Sequence, residues 1–514
     1  MSENDSRQTG VMWSALLAPY RQIGLSLQEQ VRQMLVASIL DGLLMPQGLL
    51  PSTRELAQSL GVSRNTIIIV YQRLSDEGYL VARPRGGYYV AAGVQEAAGD
   101  ISVHPSGDGR CAWAAGPDIS PDWAVRFLHP PSRQRHIEKR SDWHKYPYPF
   151  LYGQFDAGSF PMVEWRQCCL RTLNALAVSE WGRDMLQEDD AGLIHQIRTR
   201  LLLQRGIQVD EASILVTVGS QHALYLLADL LVDQKTRVGI EDPGYPDARN
   251  IFLRRRAWLS GIPVDQEGMR PEAALAACDY LYVTPSRQSP TMVQMSMARR
   301  EALLAQAREH DIVIIEDDYE TGSGYMKASM PALKSLDRDG RVVYLGSFSK
   351  SVAPGLRLGY LVGPVPLVLE LRSMRRLSIR HPNAFIQRVM AQFLAMGHYH
   401  SLQRRLGDAY AERAVRLREA MARYLPCCRI QACTGGSAFW IEGPRELDSS
   451  LLCSLAERQG VLIEAGDVFF IDPGQGGRFF RMGFTSIEAA DIEEGVRRLA
   501  SVFAGACPLG GQGT

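Results

Sequence analysis

The spacing of apolar positions changes along the chain, and the changes divide it. Between residues 25 and 45, Val31, Met34 and Leu35 recur at three- and four-residue spacing, which predicts an amphipathic helix. Ser52-Thr53-Arg54-Glu55 has the reciprocal donors and acceptors of a capping box, so a second helix starts there with Leu56, Ala57 and Leu60 facing inward. Gly61-Val62 predicts a tight turn. Ser63 then caps a third helix that runs to Gly78, with Ile67, Val70, Tyr71 and Leu74 as its buried stripe. Two short alternating runs, 79–81 and 88–90, flank Arg83-Pro84-Arg85-Gly86-Gly87 and read as a β-hairpin with a basic tip.

From residue 195 onward the pattern is different. Short continuous apolar runs stand at 214–217, 238–240, 281–284, 312–315, 342–345 and 360–362, with helical stretches such as 222–231 and 297–310 between them. Runs of that kind predict an α/β fold with a mostly parallel sheet covered on both faces. Such sheets bind ligands beyond the carboxyl ends of their strands, so the residues that follow each run carry the chemistry.

Those residues form a coherent set. Gly219-Ser220-Gln221 is a glycine turn entering a helix, where free N–H groups suit a phosphate. Glu241-Asp242-Pro243-Gly244-Tyr245 offers an aromatic face, and Glu316-Asp317-Asp318-Tyr319 offers carboxylates. Gly346-Ser347-Phe348-Ser349-Lys350 sets a lysine among hydroxyls, with Arg357 seven residues on. A pyridoxal phosphate site requires these groups: an amine for the Schiff base, an aspartate for the pyridine nitrogen, and hydroxyls with an arginine for the phosphate.

Composition narrows the field. The chain has 514 residues, room for two to four domains, and its 46% hydrophobic and 22% charged content excludes wholesale disorder. Lys+Arg and Asp+Glu are both 56, which argues against nucleic-acid binding through bulk charge. Residues 1–90 hold eight Arg, no Lys and seven acidic residues, so the case for DNA rests on placement. Arg64, Asn65 and Thr66 follow the Ser63 cap at the helix end that enters a major groove; Arg54, Arg64, Arg83 and Arg85 are phosphate candidates, with Gly86 at the hairpin tip. A winged helix used for protein contact is the alternative.

Five Pro and five Gly between residues 91 and 140 mark a domain boundary. The basic residues near its end, Arg133, Arg135, Lys139, Arg140 and Lys145, read as a solvated linker, with phosphate contact as the alternative. A polar N-terminus and the lack of a bilayer-length apolar run lead us to expect a cytoplasmic protein. The nine scattered cysteines include no C-x-x-C pair and read as buried or free thiols, with no metal site.

The stretch L-P-S-T-R-E-L-A-Q-S-L-G-V-S-R-N-T, followed by Y-Q-R-L-S-D-E-G-Y-L, resembles the GntR-type winged helix-turn-helix across residues 22–92. G-S-Q-H-A-L, E-D-P-G-Y-P, I-I-E-D-D-Y and S-F-S-K-S-V-A-P-G-L-R-L-G-Y resemble fold-type I aminotransferases across 150–505. Together they resemble the MocR/GabR class of transcription regulators. This implies a DNA-binding domain at 22–92, a linker at 93–145 and a pyridoxal phosphate-binding effector domain at 146–505, ending in a smaller α+β part.

By that resemblance Lys350 is the Schiff-base lysine, Asp317 pairs with the pyridine nitrogen, Tyr319 reaches the ring hydroxyl and Tyr245 stacks. Ser220, Gln221, Ser347, Ser349 and Arg357 surround the phosphate, and Arg481 takes a substrate carboxylate. Where many aminotransferases show N-P-T-G, residues 284–292 read T-P-S-R-Q-S-P-T-M. The missing asparagine argues against full transaminase turnover, and Arg287 is either an effector contact or a structural arginine. The resemblance also implies a homodimer on a DNA operator, answering to an amino compound or to pyridoxal phosphate itself. The alternatives are an aminotransferase with an appended DNA-binding domain and a regulator whose cofactor is purely structural.

Overall fold

The computed structural model describes residues 13–21, 24–84, 86–92, 121–128, 130–320, 330–433 and 435–507. They belong to two compact units, Met1–Trp123 and Ala124–Thr514.

The N-terminal unit contains helices α1 (Trp13–Leu17), α2 (Leu27–Leu40), α3 (Thr53–Leu60) and α4 (Arg64–Asp76) and the antiparallel hairpin β1 (Leu80–Arg83) and β2 (Gly87–Val90). The capping box at Ser52 forms: the Ser52 N–H donates to Glu55 Oε2 at 2.9 Å, and the Glu55 N–H donates to Ser52 Oγ at 3.3 Å. Ser63 Oγ accepts the Thr66 N–H at 3.1 Å, which fixes where α4 begins. Val31, Met34, Leu35, Leu56, Leu60, Ile67, Val70 and Leu74 close one core with Leu80 and Val90 of the hairpin. Tyr71, buried in that core, donates its hydroxyl to Pro51 O at 3.0 Å and so ties α4 to the turn before α3. This is the winged helix that the spacing predicts.

The large unit is built on an eight-stranded sheet. Its strands, with the short β3 (Tyr148–Pro149) outside it, are β4 (Ile214–Thr217), β5 (Arg237–Asp242), β6 (Trp258–Asp265), β7 (Gly268–Met269), β8 (Tyr280–Val283), β9 (Val313–Asp318), β10 (Val342–Ser347) and β11 (Gly359–Val362). The order is β4-β11-β10-β9-β8-β5-β6-β7, and the four central pairings from β10 to β6 are parallel. Alternation along β4 shows both faces covered. Leu215 packs with Leu224 and Leu227 of helix Ser220–Leu231, whereas Ile214 and Val216 pack with Ile197, Leu201 and Phe393. Truncating one such side chain to alanine costs about 2–5 kcal/mol.

Two features of the sheet are not in the apolar runs. Strand β11 lies antiparallel to both β10 and β4, because residues 348–358 between β10 and β11 hold no crossover helix. Strand β6 contains Gly261 and Pro263 and is largely half-exposed, so it gives no continuous run. The C-terminal part has a four-stranded sheet ordered β12 (Arg429–Ile430), β13 (Ala438–Glu442), β16 (Phe479–Gly483) and β15 (Glu464–Ala465), while β14 (Val461–Leu462) pairs with β3. Among the described residues no helix is long and apolar enough to cross a membrane, and no side-chain cluster suits a metal ion.

Replacing Ser52 with alanine removes an acceptor for the first turn of α3. The expected cost is about 1 kcal/mol, read as faster amide exchange across Thr53–Leu60 with protection of the large unit unchanged.

Candidate functional site

In the N-terminal unit, Arg54 on α3, Ser63, Arg64 and Asn65 at the start of α4, and Arg83 on the hairpin are exposed, while Thr66 and Gly86 are half-exposed. The Ser63 hydroxyl is engaged with Thr66 Oγ1 at 2.8 Å, so these two residues shape the helix end. The Arg83 guanidinium lies 4.6 Å from the Tyr89 ring centroid, and Arg64 Nε reaches Thr53 Oγ1 at 3.4 Å. Arg85 lies outside the described residues.

In the large unit, a cavity of about 390 Å³ opens at the carboxyl ends of the parallel strands. Ser220, Gln221, Tyr245, Asp317, Tyr319, Ser347, Ser349, Lys350, Arg357 and Arg481 all line it. Five separate loops and strands therefore bring the sequence-selected residues to one place. Arg287 does not line it; it donates to Ser286 O at 2.8 Å and lies against Gly435.

The site is built from partly satisfied groups. On β9, Asp317 Oδ2 accepts from the Tyr282 hydroxyl at 2.8 Å, whereas its buried Oδ1 has no partner. Burial, together with the neighbouring Asp318, pushes the Asp317 carboxyl up to about 7 against the pull of the Tyr282 hydrogen bond. The Tyr319 hydroxyl is likewise buried without a partner. Tyr245 donates toward Gln221 Oε1 at 3.3 Å and Asp247 Oδ2 at 3.2 Å, which holds its ring in the wall. Gly219, at φ +81°, opens helix Ser220–Leu231, and the Arg357 guanidinium donates to Val218 O at 3.0 Å beside it.

Lys350 Nζ lies 3.4 Å from Gly153 O and 4.6 Å from the Tyr152 ring centroid. Gly153 adopts φ +65°, a conformation that favours glycine, and a Cβ there would stand 1.8 Å from Nζ, so a side chain at this position would displace the end of Lys350. Loss of solvent around the amine, then the positive charges of Lys139 and Arg481, bring the lysine down from its ordinary range to about 7. Arg481 on β16 is 1% exposed; its Nε donates to Glu464 Oε2 at 2.7 Å, and its buried Nη2 has no partner.

Lys139, Tyr152, Gly153 and Ser289 also line the cavity and were not selected from the sequence. Lys139 belongs to the basic stretch read as solvated linker or phosphate contact; it is exposed, and its ammonium donates to Tyr152 O at 3.0 Å. Proline and glycine content marks where a chain lacks regular structure and says nothing about what an irregular segment packs against. Ser289 does carry a signal, since it lies in the stretch 284–292 that the resemblance sets against the N-P-T-G of aminotransferases. Gln288 shapes that loop: its Nε2 donates to Glu241 Oε2 at 3.1 Å and Pro243 O at 2.8 Å, and its Oε1 accepts from Thr291 Oγ1 at 2.7 Å.

A nucleophilic amine, a buried carboxylate with a free oxygen, and a helix N-terminus with hydroxyls and an arginine fit a phosphorylated pyridine aldehyde. Residues 190–499 match the family described as aminotransferase class I and II, and residues 27–90 match the bacterial regulatory proteins of the gntR family. The α-aminoadipate aminotransferase LysN of Thermus thermophilus, solved with N-(5'-phosphopyridoxyl)-L-leucine, superimposes with a TM-score of 0.68 at 26% identity, covering 75% of this chain and 99% of that one.

A winged helix joined to an aminotransferase fold defines a two-part transcription regulator. The chain belongs to the MocR/GabR family of HTH-type transcriptional regulators. It is 38% identical to the HTH-type transcriptional regulator TauR of Rhodobacter capsulatus over 92% of this chain and 96% of that protein. It is 31% identical to the probable rhizopine catabolism regulatory protein MocR of Rhizobium meliloti, over 95% and 97% respectively.

The lowered Lys350 pKa sets a pH dependence. The neutral amine is the nucleophile, so the rate at which the protein takes up pyridoxal phosphate, followed by visible absorbance, rises through about pH 7 and levels off above it. An unperturbed lysine would keep that rate rising toward about pH 10.

Proposed function

We propose that this regulator holds pyridoxal phosphate at Lys350 and uses it to recognise a small amino compound, changing how a cytoplasmic homodimer binds its DNA operator. The observation that carries this reading is the pairing, within one cavity, of the Lys350 amine with an Asp317 carboxylate that keeps one oxygen unpartnered. Asp317 would face the pyridine nitrogen, Tyr245 the ring and Tyr319 the ring hydroxyl. Ser220, Gln221, Ser347, Ser349 and Arg357 would hold the phosphate. When bound, the cofactor's aldehyde supplies reversible covalent capture of a primary amine.

The protein's own groups do the rest. Asp317, returned to its charged form beside a protonated ring nitrogen, keeps that proton in place. Lys350, whose amine burial and the charges of Lys139 and Arg481 hold near neutrality, would hold the aldehyde and take up or give up a proton at Nζ without a large cost. Arg481 offers its free Nη2 to an acid on the amine. Residues 284–292, which by resemblance stand where many aminotransferases show N-P-T-G, contain no asparagine to touch the ring oxygen, and this supports a binding role over rapid turnover.

On the DNA side, Arg54, Arg83 and Arg85 would contact phosphates, and Arg64 and Asn65 would face base edges. Ser63 and Thr66 fix the helix end that presents them, and Gly86 the hairpin tip. A ligand can shift DNA binding only by its differential affinity for the two arrangements of the dimer.

The test uses purified full-length protein. Lys350→Ala abolishes the visible absorbance of bound pyridoxal phosphate and the effect of amines on operator binding. Arg64→Ala weakens a gel shift on the protein's own upstream DNA by about tenfold or more while leaving cofactor uptake intact. Amine-dependent keto-acid release over many turnovers would overturn the regulator-only reading.

A further inference from the structure

The turn from β4 into helix Ser220–Leu231 is closed by an imidazole. Gly219 is the N-cap residue, at φ +81°, and has no side chain with which to cap the helix. His222, the third residue of the helix, reaches back instead: its Nδ1 accepts the Val218 N–H at 3.2 Å. A ring nitrogen that accepts carries no proton, so the hydrogen of the neutral ring sits on Nε2, which is buried without a partner. Two further bonds complete the turn. Arg357 Nη2 donates to Val218 O at 3.0 Å, and Thr217 Oγ1 donates to Gly219 O at 3.0 Å. Gly359 gives the turn room to pack, since a Cβ there would stand 2.8 Å from Gly219 Cα. With Val218 tied at both its N–H and its carbonyl, the first N–H groups of the helix, which have no acceptor inside it, remain for a ligand in the cavity that Gly219, Ser220 and Gln221 line.

The winged helix shows the ordinary alternative. In α3 the third residue is Glu55, whose carboxylate reaches back to the Ser52 N–H. An acid suits that exposed helix end because it also meets the positive end of the helix dipole. At a phosphate cradle the same acid would compete for the free N–H groups and repel the ligand's charge. His222 closes the turn without that charge. Burial, followed by the positive charges of Arg375 and Arg357, brings its pKa down to about 4. Arg375 is itself fixed, donating to Asp189 Oδ1 and to Val216 O, both at 2.6 Å.

We propose that His222 is a positioning residue that caps this helix with an uncharged acceptor, fixes the Val218–Gly219 turn, and thereby makes the site select a phosphorylated ligand over its unphosphorylated counterpart. Asp317, Tyr245 and Lys350, which would meet the ring and the aldehyde, lie on other strands and loops. A change at residue 222 therefore alters selectivity for the phosphate and leaves capture of the aldehyde alone.

The proposal rests on the cofactor reading, and the experiment separates the two. Full-length wild type, His222→Gln, His222→Leu and His222→Glu are titrated with pyridoxal phosphate and with pyridoxal, followed by visible absorbance, and unfolding of the unloaded proteins is recorded alongside. The wild type binds pyridoxal phosphate more tightly than pyridoxal, and His222→Gln, which keeps a neutral acceptor, retains that preference. His222→Leu weakens pyridoxal phosphate binding by about tenfold and leaves pyridoxal unchanged. His222→Glu weakens pyridoxal phosphate further, again with pyridoxal unchanged. The Gln and Glu variants share a shape and differ in charge, so their comparison carries the test if the leucine variant does not fold. A folded leucine variant that keeps the wild-type preference, or loses both ligands equally, overturns the proposal. So does a Glu variant that binds pyridoxal phosphate as tightly as the Gln variant. A wild type that takes up neither ligand overturns the functional reading itself, and this proposal with it.

Discussion

Three consecutive carboxylates, Glu316, Asp317 and Asp318, are buried on the central strand β9, and the large unit is organised by how each is satisfied. Alternation sends Glu316 and Asp318 to one side and Asp317 to the other. Glu316 accepts the N–H groups of Leu333 and Lys334, both at 2.8 Å, and so fixes the helix Leu333–Leu336. Asp318 accepts from Arg205 Nε and the Tyr344 hydroxyl, each at 2.8 Å, and Arg205 in turn holds Met330 O and Ser286 Oγ. Removing one partner from a buried pair of this kind costs about 3–5 kcal/mol. Asp317 alone keeps an oxygen without a partner, and it is the one that faces the cavity.

The neighbouring strand converts that arrangement into a site. The parallel register places Leu345 of β10 opposite Asp317, so the chain leaving β10 at Ser347 carries Lys350 into the cavity that Asp317 lines. Burial raises the acid and lowers the amine until both titrate near neutrality. Two groups driven toward the same pH by one desolvated space are what reversible chemistry on an amine needs. The folded unit bears their desolvation because the rest of β9 and the sheet around it are satisfied.

Much of this was legible in the sequence. Short apolar runs mark strands, and chemistry placed immediately after them marks the ligand end of a parallel sheet; Lys350, Asp317, Tyr245 and Arg357 follow from that rule. The capping box at Ser52 and the Ser63 cap locate α3 and α4 because caps are local chemistry. Strand direction was not legible: β11 is as apolar as its neighbours but returns antiparallel. Lys139, Tyr152 and Gly153 were missed because they sit in irregular chain, where neither period nor motif reports a contact. Arg287 was selected for its place in a motif-like loop, and its side chain turns to Ser286 O instead of the cavity.

The most direct measurement is the equilibrium affinity of the full-length protein for pyridoxal phosphate in wild type and Asp317→Asn, with unfolding of the unloaded proteins recorded alongside. If the unpartnered oxygen of Asp317 is kept for a protonated ring nitrogen, the substitution weakens cofactor binding by about tenfold or more. The unloaded protein then loses no stability, because a buried carboxylate has been replaced by a neutral group of the same shape. Affinity equal to wild type, or unfolding of the large unit on substitution, would contradict a ligand-binding role for Asp317 and assign it to the structural network of its two neighbours.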